Sequence, residues 1–413
     1  MSETAPTAAG ASAPATLPLA GLRVLDVASF IAAPAATVVM ADFGADVIKV
    51  EPPDGDPLRR MRDGAGMPKC AIDYSWELDG RNKRSIALDL KSASGRAVLD
   101  RLIACADVLV TNYPLPARAR LRLRYADVAP LNARLIYASL SGYGETGPEA
   151  NQPGYDVSAY FGRSAIVDAM RVADGPPSLT LPAQGDHPTA MTLFGGIMLA
   201  LYARERTGHG GEVATNLIHN GIWANGIFAQ AALLGAFPEP RRGRQFAKNA
   251  LANVYRARDG RWLSLVIVRE ERLWAGFCRA MELPHLVDDV RFASRADRAR
   301  HVPELMGLLD SQFATRDLDD WRVRLAAADI TFGALPGLRD LPHDPQLEAN
   351  GTFVATDDPA LPRTIANPLK LAGAPQVPPR RAPSLGQHSD AILREVGYAD
   401  ADIVTLRAAG AVV

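Results

Sequence analysis

Three cysteines in 413 residues, Cys70, Cys105 and Cys278, are too few and too far apart for a disulfide framework. With no CxxC pair among them they offer no zinc site either, and such sparse thiols fit a reducing, cytoplasmic setting. The seven histidines show neither HxxxH nor HExxH spacing, so a metal centre is not expected. Lysine is scarce: six of the 45 basic residues, the rest being arginine. Arginine forks suit phosphates and carboxylates, although a GC-biased genome gives the same skew. Against 46 acidic residues the net charge is −1, which excludes the strong basic excess of nucleic-acid or anionic-membrane binders. The longest apolar run, 190–203, is broken by Thr192 and two glycines and is too short to span a bilayer. Neither a G-x-S-x-G elbow nor a P-loop occurs, so hydrolase and NTPase templates fail. Residues 1–17 lack a basic n-region and an apolar h-region and read as a disordered Ala/Pro/Ser/Thr leader rather than a secretory signal.

What is present is an ordinary globular composition, 48% hydrophobic and 22% charged. The length predicts two or three domains. Leu22–Val27 reads as a buried strand, Pro34 to Phe43 as a helix closed by Gly44, and Ala45–Glu51 as the next strand. Strands over Arg84–Leu90, Asp107–Thr111 and Leu135–Leu140 and a helix over Ser92–Ala104 continue the alternation. The result is a doubly wound α/β domain with parallel strands. Helical periodicity dominates 157–170, 188–206 and 216–236, with a short strand near Glu212–Val213. A hairpin over Val254–Ala257 and Trp262–Val268 and helices near 270–282, 303–314 and 317–327 make a smaller α+β domain. The tail holds a strand-like Pro368–Leu371 and helices at 389–396 and 400–409, which could return to the first domain.

The turn after the first strand, Ala28-Ser29-Phe30-Ile31-Ala32-Ala33-Pro34, has no glycine, so a conventional dinucleotide site is excluded. Its small residues still leave an approachable helix start for an anionic or polar ligand. A sharper constellation is Gly154-Tyr155-Asp156 followed, thirty-one residues after Tyr155, by Asp186 in Gln184-Gly185-Asp186-His187-Pro188-Thr189. Pro188 suits the first helical position, with His187 as the cap and Asp186 just before it. There the helix dipole should keep the Asp186 carboxylate ionised and acceptor-only. Asp186 is then either a cap or, in a Gly-flanked open turn, a covalent nucleophile; Asp156 reads as a cap. The cationic stretches Asn82-Lys83-Arg84-Ser85, Lys91 and Arg118-Ala119-Arg120 either hold phosphates or are solvated faces.

The runs Leu19–Asp26, Ala41–Pro52 leading into Asp56, Asn82–Ser85, Ala106–Asn112, Ser139–Gly144, Gly147-Pro148 and Pro153–Asp156 occur in a characteristic order. In that order, with Tyr255-x-x-x-Asp259-Gly260, Asp344-Pro345 and the helical tail, the chain resembles the class III (CaiB/BaiF-type) coenzyme A transferase family over about 18–413. The resemblance implies an α/β fold with a Rossmann-like large domain built from both chain ends, a smaller central α+β domain, and an interlocked homodimer. It divides the chain into a leader at 1–17, the N-terminal part of the CoA-binding domain at 18–225, linker and small domain at 226–345, and a return to the large domain at 346–413.

It also implies that Asp186 attacks an acyl-CoA thioester and that CoA passes, through an anhydride and an aspartyl-CoA thioester, to a free carboxylic acid. No tightly bound cofactor or metal is implied; coenzyme A and acyl-CoA are substrates. Matching positions make Phe30 and Ala32 the adenosine-side loop, put Leu88 and Lys91 near adenine and phosphates, and give Asn112, Tyr113 and Arg120 the pantetheine and phosphate portion. Tyr155, also among the matched CoA-binding positions, stands where the family's racemases carry a histidine that works with the aspartate as an acid/base pair. A tyrosine, with an ordinary pKa of about 10, favours the transferase over a racemase or epimerase. A non-catalytic CoA-binding subunit is the other alternative. Ile31 stands where oxalate-specific members have glutamine, and no tetraglycine loop occurs at 243–252. Tyr160-Phe161, Arg163 and Gln184–Thr189 look more like members acting on larger aliphatic or aryl acids.

Overall fold

The computed structural model describes residues 16–173 and 175–413. Of the expected leader, residues 1–15 lie outside the described residues. Two compact units form: one from the described residues up to Asp168 with Ser178–Phe237 and Gly351–Val413, the other from Ala169–Pro177 and Pro238–Asn350.

The first unit is built on six parallel strands: β1 (Arg23–Asp26), β2 (Asp46–Glu51), β3 (Arg84–Ala87), β4 (Val108–Thr111), β5 (Ile136–Ser141) and β6 (Gly211–Asn216). Their order is β3-β2-β1-β4-β5-β6. Adjacent side chains alternate between faces. Val24, Val47, Val108 and Ile136 therefore pack on one side, against α1 (Ala32–Asp42) and, further along the chain, the long helix Asp186–Thr207. Leu25, Ile48, Leu109 and Tyr137 pack on the other, against helices over Ala93–Ala104, Ser389–Glu395 and Asp400–Ala408. Short helices α2 (Tyr74–Gly80), α4 (Leu115–Arg120), α5 (Tyr125–Val128) and α6 (Ile166–Met170) lie among them in sequence, with α3 the helix Ala93–Ala104 and α7 the helix Asp186–Thr207. The order reverses between β1 and β4, and the crevice at the carboxyl ends of those strands is where such a sheet takes its ligands.

Local chemistry explains most boundaries. Ser92 caps α3 by accepting from the Gly95 N–H. Gly44 ends α1 at φ 100°, and a Cβ there would also lie 2.6 Å from that of Leu17. Three expected elements come out differently. The helix over 157–170 is a π-turn at Val157–Gly162 and the short α6, broken where Ala165 takes φ 63°. The span 216–236 splits at Asn225, which bonds the Ser164 carbonyl, into α8 (Leu217–Ala224) and α9 (Gly226–Leu233). Pro368–Leu371 is not a strand: Pro368 and the turn that follows interrupt it, and the strands β10 (Phe353–Ala355) and β11 (Arg363–Ile365) lie just before it.

The second unit is an antiparallel sheet of β7 (Ala252–Arg256), β8 (Trp262–Val266) and β9 (Phe332–Leu335), with its core around Tyr255, Trp274, Phe277, Phe313 and Trp321. Asp259 in its hairpin turn accepts the Leu318 N–H and so starts a helix of this unit. Among the described residues no helix is long and apolar enough to cross a membrane.

Candidate active site

The loop leaving β1 is held in place by buried charge. Lys49, in the middle of β2, is 1% exposed and reaches Asp26 at 3.4 Å, Asp56 at 2.8 Å and the Ala28 carbonyl at 2.5 Å. Lys83 bonds Asp26 and the Pro34 carbonyl, each at 2.8 Å. Arg59 grips both oxygens of Glu51 at 2.7 Å. Three cations thus meet three carboxylates. Burial alone would raise the Asp26 carboxyl, but Lys49 and Lys83 outweigh it and hold it below the ordinary range. Burial opposes the charge on Lys49 too, yet Asp26 and Asp56 hold it up.

This network fixes the residues above it. Asp56 accepts the Phe30 N–H at 3.1 Å, securing Phe30 at φ 59°, a conformation L-residues rarely adopt. Asn112, directly after β4, accepts the Ser29 N–H at 2.8 Å and donates to the Ser29 carbonyl at 2.7 Å. The two loops of the switch point are therefore stapled together. Phe30 meets Tyr155 edge-on, with ring centroids 5.9 Å apart, and Tyr155 is 62% exposed. Ala32 begins α1 beside Phe30. Tyr113, half-buried, gives its carbonyl to Arg118 at 2.6 Å, and burial raises its hydroxyl.

From Tyr155 the site continues to Asp186. The buried Asp156 carboxylate accepts the Val157 N–H at 2.8 Å and, across 29 residues, the Gly185 N–H at 3.0 Å. Asp156 is thus the expected cap and also the tie between the two halves of the constellation. Gly185 has no room for a side chain: a Cβ would lie 2.6 Å from Cγ of Tyr160. Asp186 itself is half-buried; its N–H donates to the Ala183 carbonyl at 3.2 Å, while its carboxylate has no hydrogen-bond partner among the described residues.

Two expectations about Asp186 are corrected. Gly185, not His187, caps α7, because its carbonyl takes the N–H and hydroxyl of Thr189 at 3.3 and 2.8 Å. Asp186 is accordingly the first helical residue, and Pro188 the third. Nor does the helix dipole keep its carboxylate in the ordinary ionised range. Burial, then the Asp156 charge, push it up to about 7, with His187 pulling the other way. His187 sits beside it with Nε2 3.2 Å from Asp79 Oδ1 on α2 and Nδ1 3.4 Å from the Ala183 carbonyl.

Phe30, Ala32, Asn112, Tyr113, Tyr155 and Asp186 are therefore linked through neighbouring loops. Lys91, just before α3, and Arg120, at the end of α4, are exposed and make no side-chain bond among the described residues. Leu88 is 1% exposed, packed in the core behind β3, so its side chain is closed to a ligand; its N–H bonds the Glu51 carbonyl. The other cationic positions are engaged in ion pairs: Lys83 is in the buried network, half-buried Arg84 pairs with Asp46 and Glu395, and Arg118, 2% exposed, pairs with Glu145. Asp26, Lys49, Asp56 and Asp79 escaped the sequence reading as site residues. For Asp26 and Lys49 the signal was a charged residue within an otherwise apolar strand, which burial tolerates only when paired; Asp56 lies in the loop after β2 and Asp79 on helix α2. Among the described residues no group of His, Cys, Asp and Glu could hold a metal ion.

Residues 19–389 match CoA-transferase family III. The chain is 30% identical over 387 residues to the (R)-2-hydroxy-4-methylpentanoate CoA-transferase of Clostridioides difficile, covering 92% of this chain and 96% of that one. It is 30% identical over 397 residues to the cinnamoyl-CoA:phenyllactate CoA-transferase of Clostridium sporogenes, covering 94% and 95%. The crystal structure of a CaiB/BaiF family protein from Brucella suis superposes with a TM-score of 0.83 at 28% identity, covering 92% of this chain and all of that one.

Proposed function

The chain belongs to CoA-transferase family III and is an enzyme of that class; from there we propose that Asp186 carries CoA from an acyl-CoA donor to a free carboxylic acid. A carboxylate oxygen of Asp186 attacks the thioester carbonyl, the C–S bond breaks, and CoA leaves as the thiolate. The thiolate then attacks the aspartyl carbonyl of the resulting anhydride. That step releases the donor acid and leaves CoA as a thioester on Asp186. The acceptor carboxylate attacks this thioester, and the freed thiolate takes the acceptor's acyl group, restoring Asp186. Every step exchanges one leaving group for another, with no net proton or electron. The anhydride survives only where water is kept away.

The observation that carries this reading is the Asp186 carboxylate itself: half-buried, free of hydrogen bonds, and anchored through Gly185 to the segment that bears Tyr155. Phe30, Ala32, Asn112, Tyr113 and Tyr155 are the proposed CoA-facing surface, with Lys91 and Arg120 as the free cations for its phosphates. Leu88 contributes at most through its backbone. The substrates after which the two relatives are named, a branched aliphatic and an aryl acid, favour acids larger than oxalate here. We further propose a large CoA-binding domain assembled from both chain ends, a cytoplasmic location, and an interlocked homodimer. Asp186→Ala should lower transfer by at least about 10³-fold while CoA binding, measured by calorimetry, is retained. Near-normal turnover in that variant overturns the assignment.

A further inference from the structure

The imidazole of His187 faces an acceptor at each nitrogen: the Asp79 carboxylate at Nε2 and the Ala183 carbonyl at Nδ1. Neither oxygen can donate, so only a ring carrying both protons satisfies both contacts. A cation in the first turn of a helix opposes the helix dipole and needs an outside reason to persist. Asp79 supplies it: its side chain is 5% exposed, and the short helix α2 aims it at His187.

We propose that Asp79 and His187 together form a positioning device for Asp186, fixing a positive charge one residue beyond the carboxylate so that it can exist in its ionised, attacking form. This rests on the reading of Asp186 as the nucleophile.

The surroundings leave this charge little competition. Asp156 adds a negative charge on the far side of Gly185, and burial penalises the carboxylate further, so both work against ionisation. Against burial, the bond and charge of Asp79 keep the His187 ring protonated above its ordinary range. Along α7, helix α1 carries only Asp42 as a titratable group, already engaged by Arg81, Asn82 and Asn367. Strand β5 offers Tyr137, bonded to the Leu123 carbonyl, while β6 has Glu212 and α8 has the exposed His219. None of these brings a second cation to Asp186. Asp79 makes no bond to the carboxylate, and its own charge opposes ionisation of Asp186, so whatever support it gives comes through the imidazolium it holds.

The test follows the Asp186 carboxyl directly in the full-length enzyme labelled with ¹³Cγ-aspartate, the resonance being assigned by its loss in Asp186→Asn. In His187→Gln its titration midpoint should move up by about one pH unit; in Asp79→Asn it should move by less, because the direct repulsion from Asp79 is lost together with the imidazolium. The acid limb of the transfer rate should move with the midpoint, about tenfold in rate for His187→Gln at a pH below it. The double variant should shift no further than His187→Gln, since the imidazolium can be lost only once. A merely structural role would lower the rate at all pH values and leave the midpoint in place, and that result overturns the proposal. An unmoved resonance in His187→Gln does the same. If the resonance moves but Asp186→Ala still turns over, the nucleophile assignment falls and the electrostatic coupling stands.

Discussion

At the scale of single residues, the position of Asp186 is legible from its neighbours but its ionisation is not. The Gly-Asp-His-Pro run announces a helix start, and a helix start argues for a stabilised anion. The structure adds two facts of tertiary origin, burial and the carboxylate of Asp156, and these win. The consequence for stability has a definite sign. A carboxyl whose folded value is about 7 against 3.8 unfolded binds its proton more tightly when folded. Stability is therefore lost as pH rises between those values, and the full penalty holds above pH 7. Asp186→Asn carries no such penalty. It should exceed the parent in stability by about 1–2 kcal/mol at pH 8, a figure reduced for the partial exposure of the group, and the gap should close near pH 4. Thermal melts of both proteins across that range check this, and a gap independent of pH contradicts it.

At the scale of elements, β1, β2, β4, β5 and the β7–β8 hairpin come through within a residue or two because their apolar pattern is strong and local, whereas β3 ends three residues short of Leu90 and β9, β10 and β11 are not anticipated. The broken helices share a cause. The single helix read over 216–236 breaks because the side chain of Asn225 caps a distant carbonyl, and the 157–170 segment breaks where Ala165 turns left-handed. Both are decided by partners far away in sequence. The charged groups inside β2 are the same kind of case. Lys49 reads locally as a polar position in an apolar strand, yet it joins Asp26, Asp56 and the Ala28 carbonyl beneath the loop bearing Phe30. Lys49→Met leaves Asp26 and Asp56 buried with one cation fewer. It should cost about 3–5 kcal/mol, read by urea unfolding, and should weaken CoA binding because the Phe30 loop loses its support. A loss below about 1 kcal/mol would show that water, not Lys49, compensates these carboxylates.

At the scale of the molecule, the apolar surface is distributed unevenly. Beyond the buried contacts of Leu217 and Gly221, helices α8 and α9 present Trp223 at 82% exposure and Ile227 at 83%, followed by Leu233, Leu234 and Phe237. Five large, exposed apolar side chains within fifteen residues are not the scatter of single residues that a monomer's surface carries. Covering it with a second copy is the arrangement proposed above, and interlocking has a consequence that ordinary association lacks. Two chains that merely touch dissociate on dilution, because mass action favours the monomers. Two chains threaded through one another separate only when one of them opens. Sedimentation should therefore give twice the chain mass from micromolar down to low-nanomolar concentration, with exchange between differently labelled copies only after denaturant is added. Trp223→Glu with Ile227→Glu should reduce the yield of folded dimer during refolding rather than raise a dissociation constant. Rapid subunit exchange in native buffer would rule out interlocking while leaving an ordinary dimer through α8 and α9 in place.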